Sequence, residues 1–213
     1  NSLGNGFTYD DVDIVRDNPR LRQPTNFQAI WGSDWWEPFR AQDEVVGKFR
    51  DRLYRPLTMQ TFALNYAFNR LSPFGYHLFN VLLHALACLL VWRLAQRFFH
   101  DEIVATCAAL VFAVHPIHAE AVANIVGRAE VLATLFMLGG LLVLLPSERP
   151  ANWGRAALAA VLFLAALFSK ETAVCYIVVA LLAVQAVGKK PTVRRGAWWL
   201  MQTGILLIPL LIY

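Results

Sequence analysis

Six apolar blocks, several of them too short to cross a bilayer unaided, govern what this chain can fold into. They run from Tyr76 to Phe99, Ile103 to Val114, Val131 to Leu145, Ala156 to Phe168, Thr172 to Val187 and Ala197 to Tyr213. A helix needs about 20 residues to span the hydrocarbon core. The short blocks reach that length only by taking in flanking polar stretches such as "HPIHAE", "GRAE" or "SKE". Polar groups at membrane depth are tolerated only where they face protein or a wet cavity. The pattern therefore predicts an all-α polytopic membrane protein whose broken helix ends line a cavity. Residues 73–213 are expected to form a bundle of about six spanning or partly spanning helices. Residues 1–72, which hold most of the charge, read as an extracytoplasmic loop with interfacial helices. The composition agrees: 57% of residues are hydrophobic and only 16% charged, with a mean hydropathy of +0.45.

Charge sets the expected direction. Most of the Lys and Arg residues beyond position 90 gather in the loops Arg93 to Glu102, Glu148 to Arg155 and Lys189 to Arg195. These alternate with the junctions His115 to Glu130 and Ser169 to Glu171. The positive-inside rule assigns basic loops to the cytoplasm. Residues 1–70, "HPIHAEAVANIVGRAE" and "SKET" then all emerge on the opposite face, so three ionisable clusters are expected to converge there. A net charge of +4 carried largely by such loops speaks for membrane orientation and against a nucleic-acid partner. Cys88, Cys107 and Cys175 each lie inside an apolar block and read as small packing residues. The chain has no initiator Met or signal-like segment and stops within an apolar run, so further helices are expected at both ends.

Ahead of the first block, "AIWGSDWWEPF" (residues 29–39) carries three Trp and one Phe. That composition suits a membrane interface or, alternatively, the Trp core of a small subdomain. From Tyr54 onward, Leu57, Phe62, Leu64 and Phe68 interleave with Thr58, Gln60, Thr61 and Asn65, which predicts an amphipathic helix feeding into the membrane.

Candidate chemistry begins with "YDDVDIVRDNP", where Asp10 adjoins Asp11. One carboxylate of such a pair can act as general base while the other orients it or raises its pKa; a solvated loop is the plain alternative. Arg55, directly before Pro56 at a helix start, could bind a lipid phosphate or snorkel to the interface. His77, Asn80 and His84, at i, i+3 and i+7, form one polar stripe that should face the bundle interior. For His84, hydrogen bonding between helices is the preferred reading. His115, His118 and Glu120 invite a metal, but Pro116 breaks the register and the spacing matches no standard zinc signature, so no metal is assigned. Arg128 and Glu130 follow Gly127 at the mouth of the next helix, and Lys170 and Glu171 are expected at the same depth. An arginine buried there needs a carboxylate or an anionic ligand. Cations suit a phosphate-bearing lipid and carboxylates suit activation of a hydroxyl, which together describe a transferase with a lipid-phosphate-linked donor.

The blocks "YDDVDIVRDNP", "YRPLTMQTFALNYAFNRLSPFGYHLFNVLLHAL", "LVFAVHPIHAEAVANIVGRAEVLATLF" and "LFSKETAV" resemble, in that order, the membrane domain of the transmembrane-and-TPR-containing O-mannosyltransferases and their bacterial relatives. These are similar to the wider protein O-mannosyltransferase group with the GT-C fold. The resemblance implies an inverting glycosyltransferase that takes a sugar, mannose first, from a polyprenyl phosphate to a protein Ser or Thr. It implies Asp10 as the base beside Asp11 and Arg128 as the lipid-phosphate ligand. Arg55 and Lys170 are then further cations for substrate. His77, His84, His115, His118, Glu120, Glu130 and Glu171 would line the cavity. No cofactor follows beyond the lipid-linked donor, and the site would face the periplasm in a bacterium or the ER lumen in a eukaryote. The family's C-terminal TPR repeats are absent from this sequence. A secondary transporter and a non-catalytic membrane scaffold are the competing classes; the former should show an inverted repeat, and none is visible.

Overall fold

The computed structural model describes residues 2–37, 53–145 and 153–187, and its regular elements there are all helical. Short turns of helix at Ser2–Gly4, Val12–Arg16 and Pro19–Arg22 lead into α1 (Phe27–Trp31), followed by α2 (Pro56–Asn69), α3 (Pro73–Phe99) and α4 (Glu102–Val114). A turn at Pro116–His118 precedes α5 (Ala119–Ala123), α6 (Arg128–Leu144) and α7 (Trp153–Ser169). The turn Glu171–Cys175 opens α8 (Tyr176–Val187). The expected block Ala197 to Tyr213, the basic loop Lys189 to Arg195 and the end of the Trp-rich run lie outside the described residues.

The helix ends follow from local chemistry. Pro56 and Pro73 stand at helix starts, where the missing N–H costs nothing. Asp101 caps α4 by accepting from the N–H groups of Ile103 and Val104 at 2.8 and 3.0 Å. At the other end of α4 the chain bends by 47° into Pro116–Ala123, because Pro116 cannot continue the helical ladder. His115 Nδ1 takes up the N–H of Ile117 at 3.2 Å.

Among the described residues α3 is the one helix long and apolar enough to cross a membrane by itself. Its 27 residues reach about 40 Å at 1.5 Å per residue, and its best window has a mean hydropathy of 1.9. The bent pair α4 with Pro116–Ala123 qualifies as a second span if taken together. By contrast, α6 and α7 have 17 residues each, about 26 Å. The first begins at Arg128 and the second stops at Ser169, so the polar stretches fall at helix ends.

The described chain packs as two compact units that interleave in sequence. Among the described residues one comprises 2–37, 53–84, 115–132 and 168–171, and the other 85–114, 133–145, 153–167 and 172–187. The expected division at residue 72 is one of composition, whereas the packing division falls inside α3 and α6. The second unit has a core of Leu141, Leu144, Leu145, Phe163, Leu167 and Tyr176 with several alanines, small residues that let apolar helices approach closely. Arg155 closes the end of α6 there, donating from Nη2 to the carbonyls of Val143 and Leu145 at 2.6 and 2.9 Å.

The first unit holds every candidate site residue. Its core joins Ile14, Val15, Leu21, Ile30 and Trp35 to Met59, Phe62, Ala63, Tyr76 and Ile125. Trp35 is only 2% exposed and Trp31 packs edge-on against Phe168 at 5.4 Å. Within the described residues the Trp run contributes to a core, in keeping with the second of its two readings. On α2 polar and apolar side chains share the buried side, Phe62 lying there together with Thr58 and Asn65. Thr58 and Asn65 face inward, where Thr58 Oγ1 donates to the Ser169 carbonyl at 3.0 Å and Asn65 Nδ2 to that of Gly75 at 3.3 Å. Leu64 and Phe68 point outward, 48% and 84% exposed.

Candidate active site

The acidic segment is anchored by its second carboxylate. Tyr9 takes φ 47°, a left-handed conformation that turns the chain sharply just before Asp10. Asp11 is fully buried: Oδ1 accepts the N–H of Val126 at 2.8 Å and Oδ2 that of Thr8 at 3.3 Å. The Asn124 amide, with its nitrogen toward the carboxylate, donates to both oxygens at 3.2 Å. Asp10, one residue earlier, is exposed.

The turn that Asp11 grips leads into α6 and is held from the other side by α3. Asn80, fully buried on α3, donates from Nδ2 to the carbonyls of Asn124 and Ile125 at 3.0 and 3.3 Å. Its Oδ1 accepts from Arg128 Nε at 2.7 Å. Arg128 also donates from Nη2 to the Tyr76 carbonyl at 3.0 Å and from Nη1 to the Thr61 carbonyl at 3.3 Å. Its guanidinium lies over the rings of Phe62 and Phe79 at 4.7 and 4.6 Å. The residue is 0% exposed, so in this structure it meets protein acceptors and no part of it is open to a ligand. Gly127 is required by close approach, since a Cβ there would stand 2.4 Å from the Ala121 carbonyl oxygen.

His77 is 1% exposed, one residue after Tyr76, and neither ring nitrogen has a protein partner. The stripe predicted on α3 thus divides: Asn80 and His77 lie inside the network region, while His84 meets His118 with ring centroids 5.7 Å apart. His115 stands 6.0 Å from His118. Glu120 is exposed. Among the described residues no group of three or more His, Cys, Asp or Glu side chains is placed to hold a metal ion.

The remaining cations are paired. Arg55 forms a two-pronged bridge to Glu171, Nε to Oε2 at 2.9 Å and Nη2 to Oε1 at 2.6 Å, and stacks over Trp35 at 5.1 Å. Burial, the largest influence, pushes the Glu171 carboxyl up, but the Arg55 hydrogen bonds, its own backbone N–H and the charges of Arg55 and Lys170 together leave the group below its ordinary value. Lys170 pairs with Glu130. The structure thus brings Asp11, Asn80, Asn124 and Arg128 into one network and sets the pairs Arg55–Glu171 and Lys170–Glu130 in the same unit. Sequence reasoning missed Asn124 and the acceptor roles of Thr61 and Tyr76. Asn80 was visible as part of the stripe, but not as the joint of the network.

Burial raises the Asp11 carboxyl above its ordinary value, against the opposing pull of the backbone N–H groups of Val126, Thr8 and Ile125 and the charge of His77. A pKa raised on folding makes its contribution to stability full below the unfolded value of 3.8 and lost as pH climbs through the shifted value. Asp11→Asn keeps an acceptor for Val126 and removes the titration. The wild type should therefore gain thermal stability relative to Asp11→Asn as pH is lowered from about 7 towards 4. Thermal unfolding of the full-length proteins in detergent measures this; a gap moving the opposite way would show that the hydrogen bonds outweigh desolvation.

Comparison with known proteins adds what geometry alone does not carry. Residues 60–213 match the family described as dolichyl-phosphate-mannose-protein mannosyltransferase. The chain is 37% identical over 174 residues to the human protein O-mannosyl-transferase TMTC3, covering 80% of this chain and 18% of that protein. It is 42% identical over 142 residues to mouse protein O-mannosyl-transferase TMTC2, covering 67% of this chain and 16% of that protein. A Caenorhabditis elegans relative, protein O-mannosyl-transferase F38B6.6, is 37% identical over 144 residues, covering 66% and 20% respectively. The chain spans no more than a fifth of the length of these relatives. No solved structure matches it.

Proposed function

The chain belongs to the dolichyl-phosphate-mannose-protein mannosyltransferase family, and on that premise we propose that it is part of a polytopic membrane glycosyltransferase of GT-C type. The enzyme moves mannose from a polyprenyl-phosphate carrier to a Ser or Thr hydroxyl of a protein, with inversion, on the face of the membrane away from the cytoplasm. The observation that supports this best is the hydrogen-bonded run from Asp11 through the 124–126 turn and Asn80 to Arg128. It fixes the acidic segment against the start of α6 and leaves Asp10 exposed at its edge.

In this reading Asp10 is the base. It takes the proton of the acceptor hydroxyl as that oxygen bonds to the anomeric carbon and the bond from that carbon to the phosphate oxygen breaks. The lipid phosphate leaves with the electron pair. Asp11 is a positioning residue, since its oxygens are already occupied. Arg128 anchors the turn that Asp11 grips. Arg55 and Lys170 are the cations offered to the phosphate, each now held by a carboxylate that an anionic donor would replace.

The test is transfer by the full-length protein, reconstituted in membranes, to an acceptor peptide. Mannose supplied on a polyprenyl phosphate should be transferred with the opposite anomeric configuration to the donor, and nucleotide-linked mannose should give no product. Transfer from the nucleotide sugar in the absence of lipid carrier, or retention of configuration, would overturn the proposal.

A further inference from the structure

Among the large hydrophobic side chains of the described residues, Tyr9 is the most exposed, at 89%. It stands directly before Asp10 and takes φ 47°, in the left-handed region that a bulky side chain enters only at a cost. The residues on either side show what forces the chain there. Phe7 packs edge-on against Tyr76 with ring centroids 5.7 Å apart, and Asp11 is fully buried. Thr8, Tyr9 and Asp10, between these two anchors, are all exposed and form a crest.

The crest is held by main chain and by the Asp11 carboxylate. The Thr8 carbonyl accepts from the Asp11 N–H at 2.9 Å, and the Tyr9 carbonyl accepts from the Val12 N–H at 3.1 Å. The Thr8 N–H donates in turn to Asp11 Oδ2 at 3.3 Å. A ring as exposed as that of Tyr9 adds little to this frame. Glycine would meet the same backbone demand without strain. A strained and uncovered aromatic side chain beside a reactive group fits a ring kept for what it binds. Tyrosine offers a broad, rigid, amphipathic contact face at small entropic cost, suited to amide and apolar surfaces.

The position of the ring selects among the substrates. In an inverting displacement the acceptor oxygen and the departing phosphate stand on opposite faces of the anomeric carbon, and the base belongs to the acceptor's side. The Cα atoms of Tyr9 and Asp10 are neighbours along the chain, about 3.8 Å apart. A ring so close to the base is on the side of the polypeptide that brings the hydroxyl.

We propose that the Tyr9 ring is a contact platform for the acceptor polypeptide, holding the residues that flank the Ser or Thr presented to Asp10. The inference rests on the reading of Asp10 as the base, and it names the part of the site that holds the acceptor. Its partner class is a polypeptide segment bearing Ser or Thr, whose amides and small apolar side chains meet the ring.

Binding of a fluorescein-labelled peptide of alternating Thr and Ala to the full-length protein in phosphatidylcholine nanodiscs, with no donor present, tests this. Tyr9→Ala and Tyr9→Gly should each weaken peptide binding by about tenfold, the scale of losing one aromatic contact. Tyr9→Phe should stay within about twofold of the wild type, because the ring is kept. Tyr9→Gly should lose affinity while keeping or raising the melting temperature, because glycine relieves the left-handed backbone. A merely structural role predicts the reverse, a lower melting temperature with peptide affinity unchanged. In mannosyl transfer the loss should appear in the acceptor KM more than in kcat. A wild type that binds the peptide no better than Tyr9→Ala and Tyr9→Gly overturns the platform, and Tyr9→Phe binding as weakly as Tyr9→Ala overturns the ring as the contact. Should Tyr9→Gly fail to fold, Tyr9→Ala decides on the same criterion. Peptide binding without any transfer of mannose counts against the transferase reading and leaves the platform standing; transfer with unchanged peptide affinity in the variants does the opposite.

Discussion

Asp10→Asn should lower single-turnover mannosyl transfer by at least about a hundredfold while donor affinity changes little, because a general base contributes roughly 10²- to 10⁴-fold. The substitution keeps the shape of the side chain and removes only its capacity to take a proton. Asp10 is exposed beside a segment fixed by its neighbour, so no packing or buried hydrogen bond is at stake. Asp11→Asn acts differently. Its acceptor for Val126 survives, but the double grip on Asn124 is weakened, and the loss of rate should come from misplacement of Asp10. Asp10→Glu should recover part of the rate, since the base is kept and only its reach changes. Transfer at the wild-type rate by the Asp10→Asn, Asp11→Asn double variant would remove the acidic pair from the mechanism altogether.

Arg128→Met should destabilise the protein by roughly 3–5 kcal/mol, the scale expected when one member of a buried charged network is deleted. The methionine fills much of the space but leaves the Asn80 amide oxygen and the carbonyls of Tyr76 and Thr61 without their donor. Arg128→Lys should lie between wild type and Met, because one ammonium cannot reach acceptors spread over three residues of two helices. Thermal unfolding of the full-length protein measures the effect, and loss of activity should follow loss of structure. The resemblance implies another outcome, a folded protein that binds donor weakly. Observing it would mean that the guanidinium leaves its protein acceptors to meet the phosphate.

These two residues also show how far the sequence could be read. The stripe of His77, Asn80 and His84 follows directly from the helical period, and an amide placed on it must find partners inside the protein. Arg128 was equally visible as a cation needing a counterpart. That its counterparts are an amide and main-chain carbonyls was not, because carbonyl positions depend on how three distant segments pack. The polarity of α2 illustrates another limit. Of its apolar residues Phe62 is buried, but Thr58 and Asn65 are buried with it while Leu64 and Phe68 point out. Periodicity does not say which face meets protein when the surroundings are themselves apolar. Composition alone leaves Trp35 between an interface and a Trp core, and the core it occupies requires Met59 and Phe62, which arrive some 25 residues later in the chain. The short apolar blocks were more informative, since α4 ends at Val114, just before the polar stretch that opens at His115, and α6 begins at Arg128, where that stretch closes.

The central claim is that the acidic segment and the turn before α6 form one site at which a lipid-linked sugar reacts. A structure of the full-length protein holding a non-transferable polyprenyl-phosphate mannose analogue and an acceptor peptide tests it most directly. The expected result has the acceptor hydroxyl within hydrogen-bond reach of Asp10 and about 3–3.5 Å from the anomeric carbon, with Asp11 still bonded to Val126. A sugar bound across the bilayer from Asp10, or reached by a different base, would contradict it.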